Sequence, residues 1–207
     1  MKVLLLNGSP KPEGSTYTAL LEVANSLEEE GIETEIFQIG NKPISGCIAC
    51  LGCRKTGRCI IDDDVNKFLD KASEVDGFVF GSPVHYAALS GALTSFLDRA
   101  FYAATPEFRG KLGSGIVVCR RGGSTAAFDQ LNKYFTISQM PIVSSHYWNM
   151  VHGNSPEQVK QDLEGMQTMY ILGKNMSWLL KSIDAGKKAG IDMPEQKQRE
   201  WTNFIRW

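Results

Sequence analysis

No run of eighteen or more apolar residues occurs in this 207-residue chain, so the sequence offers no membrane-spanning helix. Charge of one sign is missing too: 22 Lys and Arg stand against 23 Asp and Glu, a net charge of -1, which leaves no global field for nucleic acid or a membrane surface. Met1 to Leu6 runs straight into Asn7-Gly8, too short for the apolar core of a secretion signal, which points to a cytoplasmic protein. That compartment keeps thiols reduced and so excludes a disulfide scaffold. Two nucleotide fingerprints are absent, since neither Gly-x4-Gly-Lys-Ser/Thr nor Gly-x-Gly-x-x-Gly appears. Internal repeats and low-complexity tracts are lacking as well. What remains is a globular composition, 43% hydrophobic and 22% charged, of a length suited to one domain.

Against these absences stands one concentration. Four of the five cysteines, Cys47, Cys50, Cys53 and Cys59, form Cys-x2-Cys-x2-Cys-x5-Cys within Gly46 to Cys59. Three thiolates this close in sequence can wrap a compact multi-iron cluster, with a Gly-containing arm bringing back the fourth. Zinc, usually clamped by two separated pairs, is a second reading, and free reduced thiols are a third. Cys119 ends the apolar run Ile116-Val117-Val118 and reads as a buried core thiol. Asp62-Asp63-Asp64 opens a helical stripe of Val65, Phe68, Leu69 and Ala72, and reads as capping acids rather than metal ligands.

Taken in order, the chain alternates strand and helix. Val3 to Leu6 predicts a doubly covered strand, and Ser15 predicts a cap for a helix carrying Leu20, Val23, Ala24 and Leu27. Thr34 to Ile39 predicts a second strand, followed by a long connection, 40–61, that holds the cysteines. Gly77 to Phe80 predicts a third strand stopped by Gly-Ser-Pro, then a helix from Ser90 burying Leu93, Phe96, Leu97, Ala100 and Phe101. Gly115 to Cys119 and Pro141 to Ser145 predict strands four and five, with a helix between them and an aromatic-rich loop, His146 to Gly153, after. Ser155-Pro156 starts a long helix reaching Ile183, beyond which the chain turns polar. The expectation is an α/β domain, 1–183, with a doubly wound five-stranded parallel sheet and a cysteine-rich insertion after the second strand. A tail, 184–207, is expected to dock its tryptophans on the domain or on a neighbouring subunit.

Ligands of such sheets bind beyond the carboxyl ends of the strands, which gathers three loops. The first offers helix N-terminal amides with Ser9, Lys11, Ser15, Thr16 and Tyr17, suited to one phosphate. The second, Ser82, Pro83, Val84, His85 and Tyr86, can hold a planar heterocycle by stacking and main-chain hydrogen bonds. In the third, Gly122 and Gly123 let the backbone approach a ring edge, Arg120 or Arg121 can offset its charge, and Ser124 opens the next helix. Together they suggest flavin mononucleotide (FMN).

Gly8-Ser9-Pro10-Lys11 through Ser15-Thr16, with Gly81-Ser82-Pro83-Val84, resembles the flavodoxin-like NAD(P)H-dependent FMN reductases. The cysteine segment with Asp62-Asp63-Asp64, Gly165-Met166-Gln167-Thr168 and the ending Thr202-Asn203-Phe204-Ile205-Arg206 resembles the iron–sulfur flavoprotein branch. The resemblance covers nearly the whole chain. It implies FMN at the three loops, a [4Fe-4S] cluster on Cys47, Cys50, Cys53 and Cys59, NAD(P)H as a possible donor, and a homodimer or homotetramer. Relatives commonly carry Tyr where this chain has His85.

A flavin moves two electrons or one, whereas an iron–sulfur cluster moves one, so both together would link a carrier such as ferredoxin to a two-electron small-molecule acceptor. Arg54, Lys55 and Arg58 in the cysteine loop could guide an acidic ferredoxin. Two rivals stay open: an NAD(P)H-dependent FMN or quinone reductase without a cluster, and a non-enzymatic FMN-binding or zinc-stabilised interaction module.

Overall fold

A computed structural model describes residues 1–198, 200 and 202. Its elements are β1 (Lys2–Asn7), α1 (Ser15–Glu28), β2 (Glu33–Gln38), α2 (Cys53–Thr56), α3 (Asp64–Ala72), β3 (Gly77–His85), β4 (Ala88–Leu89), α4 (Gly91–Phe108), β5 (Leu112–Cys119), α5 (Ser124–Ile137), β6 (Met150–His152), α6 (Pro156–Gln161) and α7 (Leu163–Lys188). Successive side chains of a strand point to opposite faces. In β1, Leu4 and Leu6 face α3, α4 and α5, while Val3 and Leu5 face α1, α6 and α7, and all four are fully buried. Phe78 and Phe80 in β3 join the first core and Val79 the second. A strand apolar on both faces needs a helical layer on each, and the right-handed crossovers between parallel strands supply them.

The strands run in the order β2-β1-β3-β5-β6, all parallel, with β4 hairpinned antiparallel onto β3. The expected flavodoxin-like, doubly wound sheet is therefore present. Its order reverses at β1 and β3, and the loops that follow these strands and β5 open on one edge.

Four local expectations are corrected. Ser15 is the first helical residue of α1, and Gly14 holds the N-cap position without a side-chain cap. β3 does not stop at Gly81 but continues through Ser82 and Pro83, which pair with Val117 and Val118 of β5. Beyond the Asn7–Gly81 pair β1 has ended, so one side of the ladder is open there, the setting in which a strand tolerates proline. The fifth strand is split. Pro141 to Val143 makes a single bridge to β5 at Gly113, with Ser114 Oγ donating to Val143 O, then the chain leaves the sheet and rejoins as β6 inside the predicted aromatic loop. The buried Asn149 amide spans the gap, donating to Ser114 Oγ at 3.0 Å and Gly115 O at 3.1 Å.

The predicted long helix breaks at Asp162, whose carboxylate caps Gly165 N and also accepts from His152 N. Leu163, which directly follows the break, is 77% exposed. α7 then runs past Ile183 to Lys188. The following segment lies against the turns after α4 and α5, where Arg109 Nη2 donates to Pro194 O and Gln139 Nε2 to Gln196 Oε1. Trp201 and residues 203–207, expected to dock, lie outside the described residues. Among the described residues no helix is long and apolar enough to cross a membrane.

Candidate functional site

The three loops meet at the switch point. Gly8 N donates to Gly81 O at 2.8 Å, and a Cβ on Gly8 would lie 2.7 Å from that oxygen, so only glycine lets the first loop reach the second. Ser90 fastens the contact: Oγ donates to Gly8 O and accepts from Leu93 N, while its N–H donates to Ser82 Oγ. The second and third loops meet at Gly123, with φ +91°, where an added Cβ would stand 2.8 Å from Ala87 Cα.

Of the groups expected at the first loop, the backbone amides and Lys11 face outward, whereas two of the hydroxyl residues are buried. Ser9 is 6% exposed and its Oγ accepts from Lys11 N, and Thr16 is 1% exposed against Gly81. What faces outward is the start of α1. Its ladder begins with Thr18 N to Gly14 O, its first turn holds no acid, and among the described residues the N–H groups of Ser15, Thr16 and Tyr17 have no acceptor. Lys11 is exposed beside them. α5 repeats the arrangement after β5, with Gly123 as an uncapped N-cap and no acid in the first turn. Two helix N-termini thus aim partial positive charge at one cleft. Asn7 and Gln38, which sequence reasoning missed, hold the first loop in place: Asn7 Nδ2 donates to Pro12 O and Gln38 Oε1, and Gln38 Nε2 donates to Ser9 O.

The loop expected to hold a ring is the tip of the β3–β4 hairpin. Tyr86 and Ala87 both take positive φ, 50° and 60°, as a tight turn of this kind requires at both central residues. Non-glycine residues in this conformation store strain of about 1–2 kcal/mol each, and such strain gathers at binding sites. Val84 is half-buried, and His85 and Tyr86 are exposed and free to meet a planar ligand. Ser82 differs from the other predicted contacts. It is fully buried, and its Oγ donates to Pro83 O while accepting from Ser90 N, so it braces the loop from behind. Arg120, Arg121 and Gly122 are exposed, and Ser124, 7% exposed, turns its hydroxyl to Met150. Cys119 is buried as expected, and burial pushes its thiol pKa up.

Cys47, Cys50, Cys53 and Cys59 line one pocket, whose other wall is Arg99, Tyr102 and Ala103 of α4. Among the described residues no group of three or more His, Cys, Asp or Glu is gathered closely enough to hold a metal ion. The shared pocket has an apolar rim of Ile48, Leu51 and Ile60, and its four thiols are a donor set that an iron–sulfur cluster or a zinc ion would use. Arg99 lies nine residues beyond Ser90 on α4, so at 1.5 Å per residue the pocket sits about 14 Å along the helix from the cleft.

Arg99 is the residue the sequence reading missed most plainly, although a charge within the stripe Leu93, Phe96, Leu97, Ala100 and Phe101 is itself a signal. It is 2% exposed; Nε donates to Cys59 Sγ at 3.2 Å, and the fork grips Asp63 at 2.6 and 2.8 Å. Burial alone would raise the Asp63 pKa, but the hydrogen bonds from Arg99 and Val65 N outweigh it and hold the carboxyl below its usual value. Asp63 is also the N-cap of α3, so the capping expectation holds. Asn66 clamps the Cys59 backbone, accepting from its N–H and donating to its carbonyl, both at 2.9 Å.

Comparison with known proteins fits this geometry. A protein-family model described as NADPH-dependent FMN reductase matches residues 1–155. An iron-sulfur flavoprotein of Methanocaldococcus jannaschii is 36% identical over 191 residues, covering 88% of this chain and 99% of that protein. One of Methanosarcina thermophila is 28% identical over 193 residues, covering 90% and 99%. An archaeal flavodoxin structure superposes with a TM-score of 0.61 at 14% identity, over 87% of this chain and 99% of its own. With the switch-point cleft, the uncapped helix starts and these matches in agreement, the chain belongs to the NADPH-dependent FMN reductase family, in its iron–sulfur flavoprotein branch, and is an FMN-dependent oxidoreductase.

Proposed function

We propose that this oxidoreductase exchanges electrons between a one-electron carrier of the ferredoxin kind and a two-electron small-molecule acceptor, using FMN in the cleft and a [4Fe-4S] cluster on Cys47, Cys50, Cys53 and Cys59. The observation that carries the reading is the single pocket lined by all four cysteines, with a buried guanidinium donating to one of their sulfurs. When bound, the flavin supplies one- and two-electron chemistry and the cluster one-electron chemistry. The chain's own residues bind and orient. The N–H groups of Ser15, Thr16 and Tyr17, with Lys11 and the loop that Ser9 shapes, would hold the phosphate. Pro83, Val84, His85 and Tyr86, braced by Ser82, would hold the ring, and Arg120, Gly122, Gly123 and Ser124 would flank its polar edge. NAD(P)H as an alternative donor, cytoplasmic residence, and assembly as a homodimer or homotetramer belong to the same reading.

The test is chemical analysis of protein purified without oxygen. About four irons and four acid-labile sulfides per chain beside one FMN, with the iron lost in Cys50→Ser, is the expected result. Flavin with neither iron nor sulfide would overturn the cluster and leave a cluster-free NAD(P)H-dependent FMN or quinone reductase.

A further inference from the structure

We infer that Arg99 is a positioning residue that fixes Cys59 and raises the reduction potential of the cluster held there, and that Asp63 opposes it by masking part of its charge. The inference rests on the cysteines carrying a cluster. The four thiols are not equivalent. Cys47 and Cys50 are exposed on a stretch whose intervening Ala49 and the following Leu51 take positive φ, and Cys53 starts the single turn of α2. Among the described residues Cys59 is the most firmly held of the four, by two hydrogen bonds with Asn66 and one from Arg99, whereas the Cys53 thiol makes one long contact, donating to Tyr102 O at 3.7 Å. Cys59 is also, among the described residues, the only one of the four whose sulfur accepts an N–H hydrogen bond.

The guanidinium uses all three nitrogens: Nε on Cys59 Sγ, Nη1 on Ser45 O and Asp63 Oδ2, Nη2 on Ile61 O and Asp63 Oδ1. It therefore joins the chain on both sides of the cysteine segment, at Ser45 and Ile61, to the middle of α4, and lysine cannot reproduce that fork. Its side chain is 1% exposed, so water screens its charge little. Reduction adds one electron to an already anionic thiolate-ligated group, with no bond made or broken. A cation donating to a ligand sulfur favours the more negative form, and an adjacent carboxylate disfavours it. The two residues therefore push the potential in opposite directions.

The test is a redox titration of the anaerobically prepared holoprotein, followed by electron paramagnetic resonance, for wild type, Asp63→Asn and Arg99→Lys. Asn retains the capping oxygen, so Asp63→Asn preserves the start of α3 while uncovering the charge of Arg99. Asp63→Asn is expected to raise the potential by about tenfold in the oxidised-to-reduced ratio, about 59 mV for one electron. Arg99→Lys is expected to lower it. Potentials that do not move, or that move in the same direction, with iron still bound, overturn the inference and leave the cluster reading intact. Should Arg99→Lys fail to retain iron, Asp63→Asn alone decides. Wild-type protein without iron overturns both.

Discussion

Gly123 shows how a single residue holds two loops of the cleft in register. Its φ of +91° costs an L-residue about 1–2 kcal/mol, and a Cβ there would press on the backbone of Ala87, which cannot swing aside as a side chain would. Gly123→Ala is expected to lower the stability of the apoprotein by about 1–3 kcal/mol in urea titrations and to weaken FMN binding at least tenfold. Gly122→Ala is the internal control. Nothing lies within 4 Å of its added Cβ, so its stability should stay within about 0.5 kcal/mol of wild type. Equal losses in both variants would show that loop composition, not the Gly123–Ala87 contact, sets the effect. The cysteines and glycines of the site were legible in the sequence because residue type and close spacing carry their chemistry. Arg99 and Asn7 were not, since a guanidinium finds its thiol and carboxylate 40 and 36 positions away and an amide finds Gln38 31 away, separations that only the folded chain closes.

Elements were readable wherever burial imposes a period. The continuous apolar run of β1 and the Val65, Phe68, Leu69 and Ala72 face of α3 appear as predicted, because each must match the core it covers. The readings that failed involve residues acting against local preference. Pro83 continues β3, the amide of Asn149 substitutes for ladder bonds where the fifth strand splits, and Asp162 caps a new helix where the spacing predicted a continuous one. The start of α3 gives a prediction at this scale. The folded pKa of Asp63 lies below its unfolded value of about 3.9, so its contribution to stability is complete above that pH and is lost as the pH falls through the folded pKa. Denaturant titrations across pH 7 to 3 should therefore show wild type losing stability below about pH 4. Asp63→Asn should start about 1–2 kcal/mol lower at pH 7, from the weakened bond to Arg99, and decline less steeply in acid. Parallel pH profiles for the two proteins would rule out the ion pair as the cause.

At the scale of the whole molecule, the two candidate sites divide along α4, with the switch-point cleft at its N-terminus and the cysteine pocket farther along, so under the proposed function electrons would enter or leave at a surface distinct from the cleft mouth. A net charge of -1 provides no overall attraction for an acidic carrier, and any steering must be local. Of the three cations in the cysteine loop, Arg58 is already paired with Asp70, whereas Arg54 and Lys55 are exposed on α2 and have no ion pair among the described residues. Those two therefore carry the unpaired positive charge of the cysteine loop among the described residues, and it acts over a screening length of about 8 Å at physiological salt. The rate of reduction by a small acidic one-electron carrier should fall as salt rises. Replacing both Arg54 and Lys55 by Gln should slow it about tenfold at low salt and remove most of the salt dependence. Arg58→Gln should matter much less, because Asp70 cancels its charge in the wild-type protein. Stopped-flow reduction of the three proteins between low and high salt decides the matter. A double variant with an unchanged rate and salt slope would mean that the carrier docks elsewhere, and an Arg58→Gln effect as large as the double variant's would mean that the Asp70 pair opens when the carrier arrives.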